Sequence, residues 1–393
     1  MINAVERAKE LRKTLIRGND VLVADFSGTL QGKDTSKVIE LMPNVETGDY
    51  VFRTKVNVKA LDPVASEVYK QEFFDIRGKT DSEIETFVKS QEFDFPLWFK
   101  HHPSFSYQGI RNFDLPFISQ VAGCNFHDGT IAGGCTYCFV DNESNNGLPG
   151  KGKSYLSPAG LVDSFIEAKK KISAAYEEKG YPLDLKVIRT SGGEPTIALD
   201  WVLNVWREVG ARGLDFVGQL DSNLSTGTLV DEFERQGIYE PHILEKLGEY
   251  PVKVLTAIKG TDSENICDNV QAKTNVDKQL YSMKRFLRAG FDIYPQMYNP
   301  NPKTLRSYLE SLDSEIENAS LRVHIGPLKP YRPTTNRLDA RECCGGIGSK
   351  TQIAIWDSNY KVGCEILEAY LQERHGVAYK EVTRSDVELK IKA

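Results

Sequence analysis

The chain has 393 residues, room for one large domain with additions at either end, and its 40% hydrophobic and 26% charged residues are those of a globular protein rather than a disordered one. No run of about 18 apolar residues occurs, so no membrane span is predicted, and a formal charge of −6 leaves no footprint for a nucleic-acid backbone, which disfavours a nucleic-acid partner. Seven cysteines, an odd number, argue against a disulfide framework, and "MINAVERAKELRKTLIRG" at the N-terminus lacks the apolar stretch of a secretory signal, so a cytoplasmic protein with reduced thiols is expected.

Residues 1–112 are expected to form an N-terminal α+β extension, a possible substrate cap. There "DVLVADFSG" and "DYVFRTKVNV" look like antiparallel strands, "TDSEIETFVKSQEF" like a capped helix, and "FPLWFKHHPSFSY", with His101 and His102, like an aromatic connection. Residues 113–332 then alternate short apolar runs with amphipathic stretches, the pattern of parallel β/α units. The strands expected are "PFISQVAG" (116–123), "LKVIRTSGGEPT" (185–196), "LDFVGQLDSN" (214–223), "YPVKVLTAIKG" (250–260), "FDIYPQMYN" (291–299) and "LRVHIGPLK" (321–329). Between the first two lies a helix with Ser157 as N-cap, Pro158 at its first position, Leu161, Val162, Phe165, Ile166 and Ile172 as its buried stripe and Gly180 as its stop. Further helices are expected around Trp201, at 241–248, at 275–289 and at 303–317, with "LVDEFERQG" supplying a turn or two.

Six such units make the fold class α/β, a partial (β/α)6 parallel barrel, in which ligands collect at the carboxyl ends of the strands. Residues 333–393 form a small C-terminal extension, where "TQIAIWDSNYKVGC" reads as a hairpin turning at Asp357-Ser358-Asn359 ahead of the helix "EILEAYLQERHG".

"GCNFHDGTIAGGCTYCF" places Cys124, Cys135 and Cys138 close together at the end of the first expected strand. Three thiolates can hold three irons of a 4Fe-4S cluster and leave the fourth open. Structural zinc, with His127 completing a Cys3His set, is the competing reading of this loop, and plain buried cysteines a third. "SGGEPT" (191–196) ends the next strand: its paired glycines let the main chain approach a small ligand, and Glu194 offers a carboxylate to an ammonium group.

With the Cys124, Cys135 and Cys138 set followed one unit later by Gly192-Gly193-Glu194-Pro195, residues 115–330 resemble the radical S-adenosylmethionine (radical SAM) superfamily, without specifying a subfamily. The family's usual spacing is C-x3-C-x2-C, whereas here it is C-x10-C-x2-C. The resemblance implies that Cys124, Cys135 and Cys138 ligate a 4Fe-4S cluster, that the amino and carboxylate groups of SAM chelate the open iron, and that Gly192, Gly193 and Glu194 contact SAM. Tyr137 matches the aromatic position beside the adenine, or is an ordinary packed tyrosine. Ser222, Asn223, Thr256 and Lys259 end the third and fourth strands, where polar groups surround the ribose and carboxylate; they are equally readable as caps and turn residues. Gln296 and Asn299 on the fifth strand rank below them.

The implied activity is reductive cleavage of SAM to a 5'-deoxyadenosyl radical that abstracts hydrogen from a small metabolite or a peptide or protein side chain, with an electron donor such as flavodoxin or ferredoxin. The alternative is a non-catalytic iron-sulfur electron-transfer or zinc-binding protein. The N-terminal residues do not read as a cobalamin-binding Rossmann unit. Cys343, Cys344 and Cys364, with Cys267 as a further ligand, offer an auxiliary iron-sulfur cluster, against which stands the reading of packed or spare thiols.

Overall fold

A computed structural model describes residues 2–24, 29–31, 41–43, 50–54, 57–60, 117–177, 186–328, 330–382, 384 and 387–392. Asn3 opens the first helix, α1 (Ala4–Leu15), its Oδ1 accepting from the backbone N–H groups of Val5 and Glu6. Ala4, Ala8, Leu11 and Leu15 form the buried stripe of α1, spaced as one face of a helix.

The main sheet contains β1 (Asp20–Ala24), β2 (Phe117–Val121), β3 (Lys153–Leu156), β4 (Val187–Gly192), β5 (Val217–Ser222), β6 (Val252–Ile258), β7 (Ile293–Met297) and β8 (His324–Ile325). The run from β2 through β4, β5, β6 and β7 to β8 pairs parallel throughout and in chain order, as the α/β pattern predicts. At its β2 edge the sheet is wider than expected, because β1 pairs antiparallel with β2, with β3 and with Ile16–Arg17. The N-terminal segment therefore joins the sheet. Residues 41–43, 50–54 and 57–60 form a separate antiparallel sheet, as "DYVFRTKVNV" suggests. The expected helix in "TDSEIETFVKSQEF" and the connection bearing His101 and His102 lie outside the described residues.

Helices α2 (Pro158–Glu177), α3 (Leu199–Ala211), α4 (Gly227–Arg235), α5 (Ile243–Gly248), α6 (Ser263–Val270), α7 (Val276–Arg288) and α8 (Pro302–Glu315) fall between the parallel strands. Ser157 begins α2 as predicted, its Oγ accepting from Gly160 N. The stop at Gly180 lies outside the described residues, as does the side chain of Ile172 in the expected stripe. "LVDEFERQG" makes more than the turn or two expected, the full helix α4.

In-register parallel neighbours share a face. Phe117, Ile188, Leu220, Val254 and Ile293 are on one face, buried with Val202, Trp206 and Leu309 of the helices in a continuous core. Gly218 has a packing reason, since a Cβ there would lie 2.3 Å from Trp206 Cζ2. The opposite face carries Gln120, Arg189, Ser191, Gln219, Asp221 and Gln296. On it Arg189 grips the Asp221 carboxylate through Nε and Nη2 at 2.9 and 2.7 Å, and Gln219 Nε2 donates to the same group at 2.7 Å.

Two expectations fail toward the C-terminus. The sixth strand shrinks to His324–Ile325 because Ala319–Arg322 turns as a helix, with Arg322 Nη1 drawn onto Ile293 O at 3.2 Å. "TQIAIWDSNYKVGC" is no hairpin: after α9 (Arg332–Glu342), one helix, α10 (Ser349–His375), runs through Asp357-Ser358-Asn359. Its buried residues Trp356, Gly363, Leu367, Tyr370 and Leu371 recur at helical spacing, so burial of that stripe overrides the turn preference of three residues on the exposed and half-buried side.

Candidate active site

The cysteine loop leaves β2 at the carboxyl end of the parallel strands. Cys124 N donates to Asn145 O, His127 N to Cys124 O, and Cys138 N to Cys135 O. The strand-end segment after β4 lies directly against it: Gly193 N donates to Val121 O at 2.9 Å, and Glu194 N to Gly123 O at 2.8 Å. A Cβ on Gly193 would fall 1.8 Å from Gly123 O, and Gly192, at φ +98°, would place one 2.2 Å from Gln120 Cγ. The paired glycines are thus needed for main chain to meet main chain, a packing reason independent of any ligand.

The three thiols share one electrostatic neighbourhood. Burial pushes Cys124 and Cys135 well above the usual thiol range, and Cys138 adds to both. Lys259, Arg337 and Arg341 pull Cys135 the other way. Amide donors face the sulfurs, Asn145 Nδ2 lying 3.5 Å from Cys138 Sγ and Asn223 Nδ2 3.9 Å from Cys124 Sγ. Among the described residues, no three Cys, His, Asp or Glu side chains gather closely enough to share one metal ion. The convergence that mononuclear zinc requires is therefore not found there, whereas thiolates that each bind a different iron need not meet at a point. His127, the expected fourth zinc ligand, is buried, with Nδ1 accepting from Gly129 N and Nε2 without a hydrogen-bond partner; burial first, then Arg337 and Arg7, push it down to about 4. One buried and two half-buried thiols flanked by amides and cations suit an anionic iron-sulfur cluster.

Glu194 is 1% exposed. One oxygen accepts from Thr196 Oγ1, and the other from Asn223 N at 2.7 Å. Burial nevertheless pushes it up to about 7. Asn223 ties three parts of the site together: its Nδ2 donates to Asn125 Oδ1 at 2.8 Å, and its Oδ1 accepts from Ser225 N at 3.1 Å. The Ser222 hydroxyl accepts from Leu224 N at 3.1 Å, supporting a buried leucine held at φ 61°. Thr256, wholly buried, turns its hydroxyl to Tyr294 O at 3.4 Å. For Ser222 and Thr256 the turn-and-sheet reading accounts for the side chain.

Lys259 is different. It is buried, its Nζ lies 5.6 Å from the centre of the Tyr137 ring, and among the described residues its ammonium makes no hydrogen bond or ion pair. Tyr137 packs between Tyr298 and Trp356, ring centres 5.7 and 6.5 Å away, and among the described residues both its hydroxyl and Trp356 Nε1 are buried without hydrogen-bond partners. Gln296 accepts from Tyr298 OH, while Asn299 joins Asn269 and Asn359 in an amide network behind the site.

Sequence reasoning missed α9 altogether. Arg337 donates from Nε to Gly133 O and from Nη2 to Val140 O, both at 2.9 Å, and from Nη1 to Cys138 O. Arg341 donates to Ala132 O at 2.7 Å and to Gly134 O at 2.6 Å, and burial lowers it to about 10. The available signal was the common helical face of Thr334, Arg337, Leu338 and Arg341, two like charges four residues apart. The other cysteines are scattered. Cys343 and Cys344 are exposed just past α9, Cys364 is half-buried on α10 and Cys267 half-buried on α6. Spread over the end of α9, the middle of α10 and α6, they leave the auxiliary cluster unsupported.

No family model matches the chain, and no curated protein does. Solved structures similar to it include the cobalamin-dependent S-adenosylmethionine radical enzyme OxsB, at 10% identity and TM-score 0.36 over 70% of this chain and 34% of that one. The radical S-adenosylmethionine methyltransferase TsrM from Kitasatospora setae aligns at 12% identity and TM-score 0.37 over 57% of this chain and 39% of its own. Spore photoproduct lyase aligns at 13% and 0.38 over 79% of this chain and 90% of its own. The chain thus spans roughly a third of OxsB and two fifths of TsrM. Likenesses of this degree carry no argument, and function has to be read from the residues.

Proposed function

We propose that this chain is a radical SAM enzyme, with Cys124, Cys135 and Cys138 holding a 4Fe-4S cluster at the carboxyl edge of a partial parallel barrel. The observation that carries the reading is the pairing of needs at that edge. Among the described residues Glu194, a buried carboxylate with a raised pKa, lacks a bonded cation, and Lys259, a buried ammonium bearing electrostatically on it, lacks a bonded anion. An α-amino acid group supplies both, its ammonium to Glu194 and its carboxylate to Lys259, and the methionine part of SAM is such a group.

Tyr137, with its unpaired hydroxyl beside Trp356, would border the rest of SAM, and Asn223 would hold Glu194 and Cys124 in register. Gly192 and Gly193 would act by bringing the Glu194 segment against the cysteine loop. Thr256, whose hydroxyl already donates to Tyr294 O, would shape the edge without donating to SAM, and Ser222 would brace Leu224 N there. The chemistry supplied by the bound group is one-electron cleavage of SAM to methionine and a 5'-deoxyadenosyl radical, which takes a hydrogen atom from substrate.

The polar sheet face with Arg189, Ser191 and Asp221 would receive that substrate, a small metabolite or a peptide or protein side chain, and a flavodoxin or ferredoxin would supply the electron. The test is anaerobic reconstitution with iron and sulfide, then SAM and a strong reductant, with 5'-deoxyadenosine measured against Cys135→Ala. Product that depends on Cys135 supports the reading. A cluster that assembles without binding or cleaving SAM would move the electron-transfer reading ahead.

A further inference from the structure

We propose that Arg337 and Arg341 of α9 are positioning residues that lock the cysteine loop around its cluster and raise the cluster's reduction potential. The inference rests on the reading above, and it assigns to the C-terminal region a part in the site.

The geometry is that of a clamp. Thr334 Oγ1 and Arg337 both donate to Cys138 O, the carbonyl of the last cysteine. Arg337 also takes the carbonyls of Gly133 and Val140, on either side of the C-x-x-C segment, and Arg341 takes those of Ala132 and Gly134 just before it. The ten residues between Cys124 and Cys135 include three glycines. The first half closes on itself at His127 N to Cys124 O, Gly129 N to His127 Nδ1 and the Asp128 turn to Thr130, and is tied to α1 by Arg7 Nε on His127 O, whereas Ala132, Gly133 and Gly134 give their carbonyls to the arginines. A flexible loop of that kind holds thiols in a fixed array only if something external fixes its main chain. The planar guanidinium, with donors in a rigid fork, suits carbonyls that diverge.

The second argument is charge. Arg337 is 2% exposed, and Arg341 Nη1 is buried with no hydrogen-bond partner among the described residues. Among the described residues neither guanidinium forms an ion pair with a carboxylate, although the two stand four residues apart on one helix and repel. Two buried like charges so arranged are costly unless an anion lies close by. Asp128 bears electrostatically on Arg341 without bonding it, Cys135 bears on both arginines, and an anionic thiolate-bound cluster would compensate the remaining charge. One-electron reduction adds negative charge, so fixed cations there favour the reduced form and raise the midpoint potential.

The experiment uses full-length protein reconstituted anaerobically, comparing wild type with Arg341→Met, Arg341→Lys and Arg337→Lys by EPR-monitored redox titration and by iron release to a chelator. Arg341→Met should titrate at a more negative potential than wild type, and Arg341→Lys should recover most of that shift because the charge returns. Arg337→Lys, which keeps the charge and loses the fork, should release iron roughly tenfold faster with a smaller change in potential. A cluster in Arg341→Met with the wild-type potential would overturn the electrostatic role. Unchanged iron release in Arg337→Lys would overturn the clamp, even if Arg341→Met does not fold. If wild type assembles no cluster, the proposed function itself fails, an outcome distinct from an intact cluster that ignores the arginines.

Discussion

Two cysteine-bearing regions of this chain, the loop after β2 and the C-terminal helices, differ in what surrounds the thiols. Cys124, Cys135 and Cys138 lie in a loop fixed by backbone hydrogen bonds, faced by the amides of Asn145 and Asn223 and clamped by Arg337. Cys343 and Cys344 are exposed beside Gly345, and Cys364 sits in the middle of a long helix. A thiol becomes a ligand candidate through its surroundings rather than through its spacing to the next cysteine.

The harshest way to break that contrast leaves the cysteines alone. Gly193→Ala drives a methyl group into Gly123 O, so a loss on the order of 4 kcal/mol or more, and failure to accumulate folded protein, is expected. Gly213→Ala, at φ +63° with nothing within 4 Å, should cost only about 1 kcal/mol, and chemical denaturation of the pair compares them. Next in size, Cys135→Ala should abolish cluster assembly in iron and sulfide analysis, whereas Cys343→Ala and Cys344→Ala should retain the wild-type iron content.

A third prediction concerns Glu194 in the apoprotein. Its folded-state pKa, about 7, stands above that of the unfolded chain, so between roughly pH 4.5 and 7 the folded state holds the proton that the unfolded state has released. Its contribution is therefore fully present below about pH 4.5 and is lost as pH rises through 7, by on the order of 3 kcal/mol. Glu194→Gln should remove that slope from the pH dependence of the denaturation midpoint, and a slope that persists would assign it to other groups. The smallest effect is expected at Trp356: the change to Phe keeps the ring beside Tyr137 but removes an unpaired buried donor, so folding stability should hold while SAM binding weakens a fewfold by equilibrium dialysis.

Much of the sheet was legible in the chain because parallel strands buried against helices read as short apolar runs between amphipathic stretches. Phe117, Ile188, Leu220 and Val254 carried that signal, and so did the Ser157-Pro158 helix start. Of the candidate site, the position of the three cysteines and Glu194 at the ends of consecutive strands was legible, because the apolar runs before them mark where each strand stops. The long helix α10 was misread because Asp357-Ser358-Asn359 has local turn character, and the stripe that overrides it is satisfied only by distant partners.

By itself, then, the sequence determined the order of the parallel strands and of the helices between them, the spacing of three thiols at the end of one strand and the carboxylate one unit later, because these depend on local periodicity and spacing. Only the tertiary structure decided that Gly192 and Gly193 serve a main-chain contact, that Ser222 braces Leu224 N while Thr256 donates to Tyr294 O, and that among the described residues the Lys259 ammonium beside Tyr137 makes no hydrogen bond or ion pair. It also brought Arg337 and Arg341 onto a loop some 200 residues earlier in the chain. Whether a polar side chain is spent or available depends on what the fold sets against it, and contacts across such separations leave no local pattern to read.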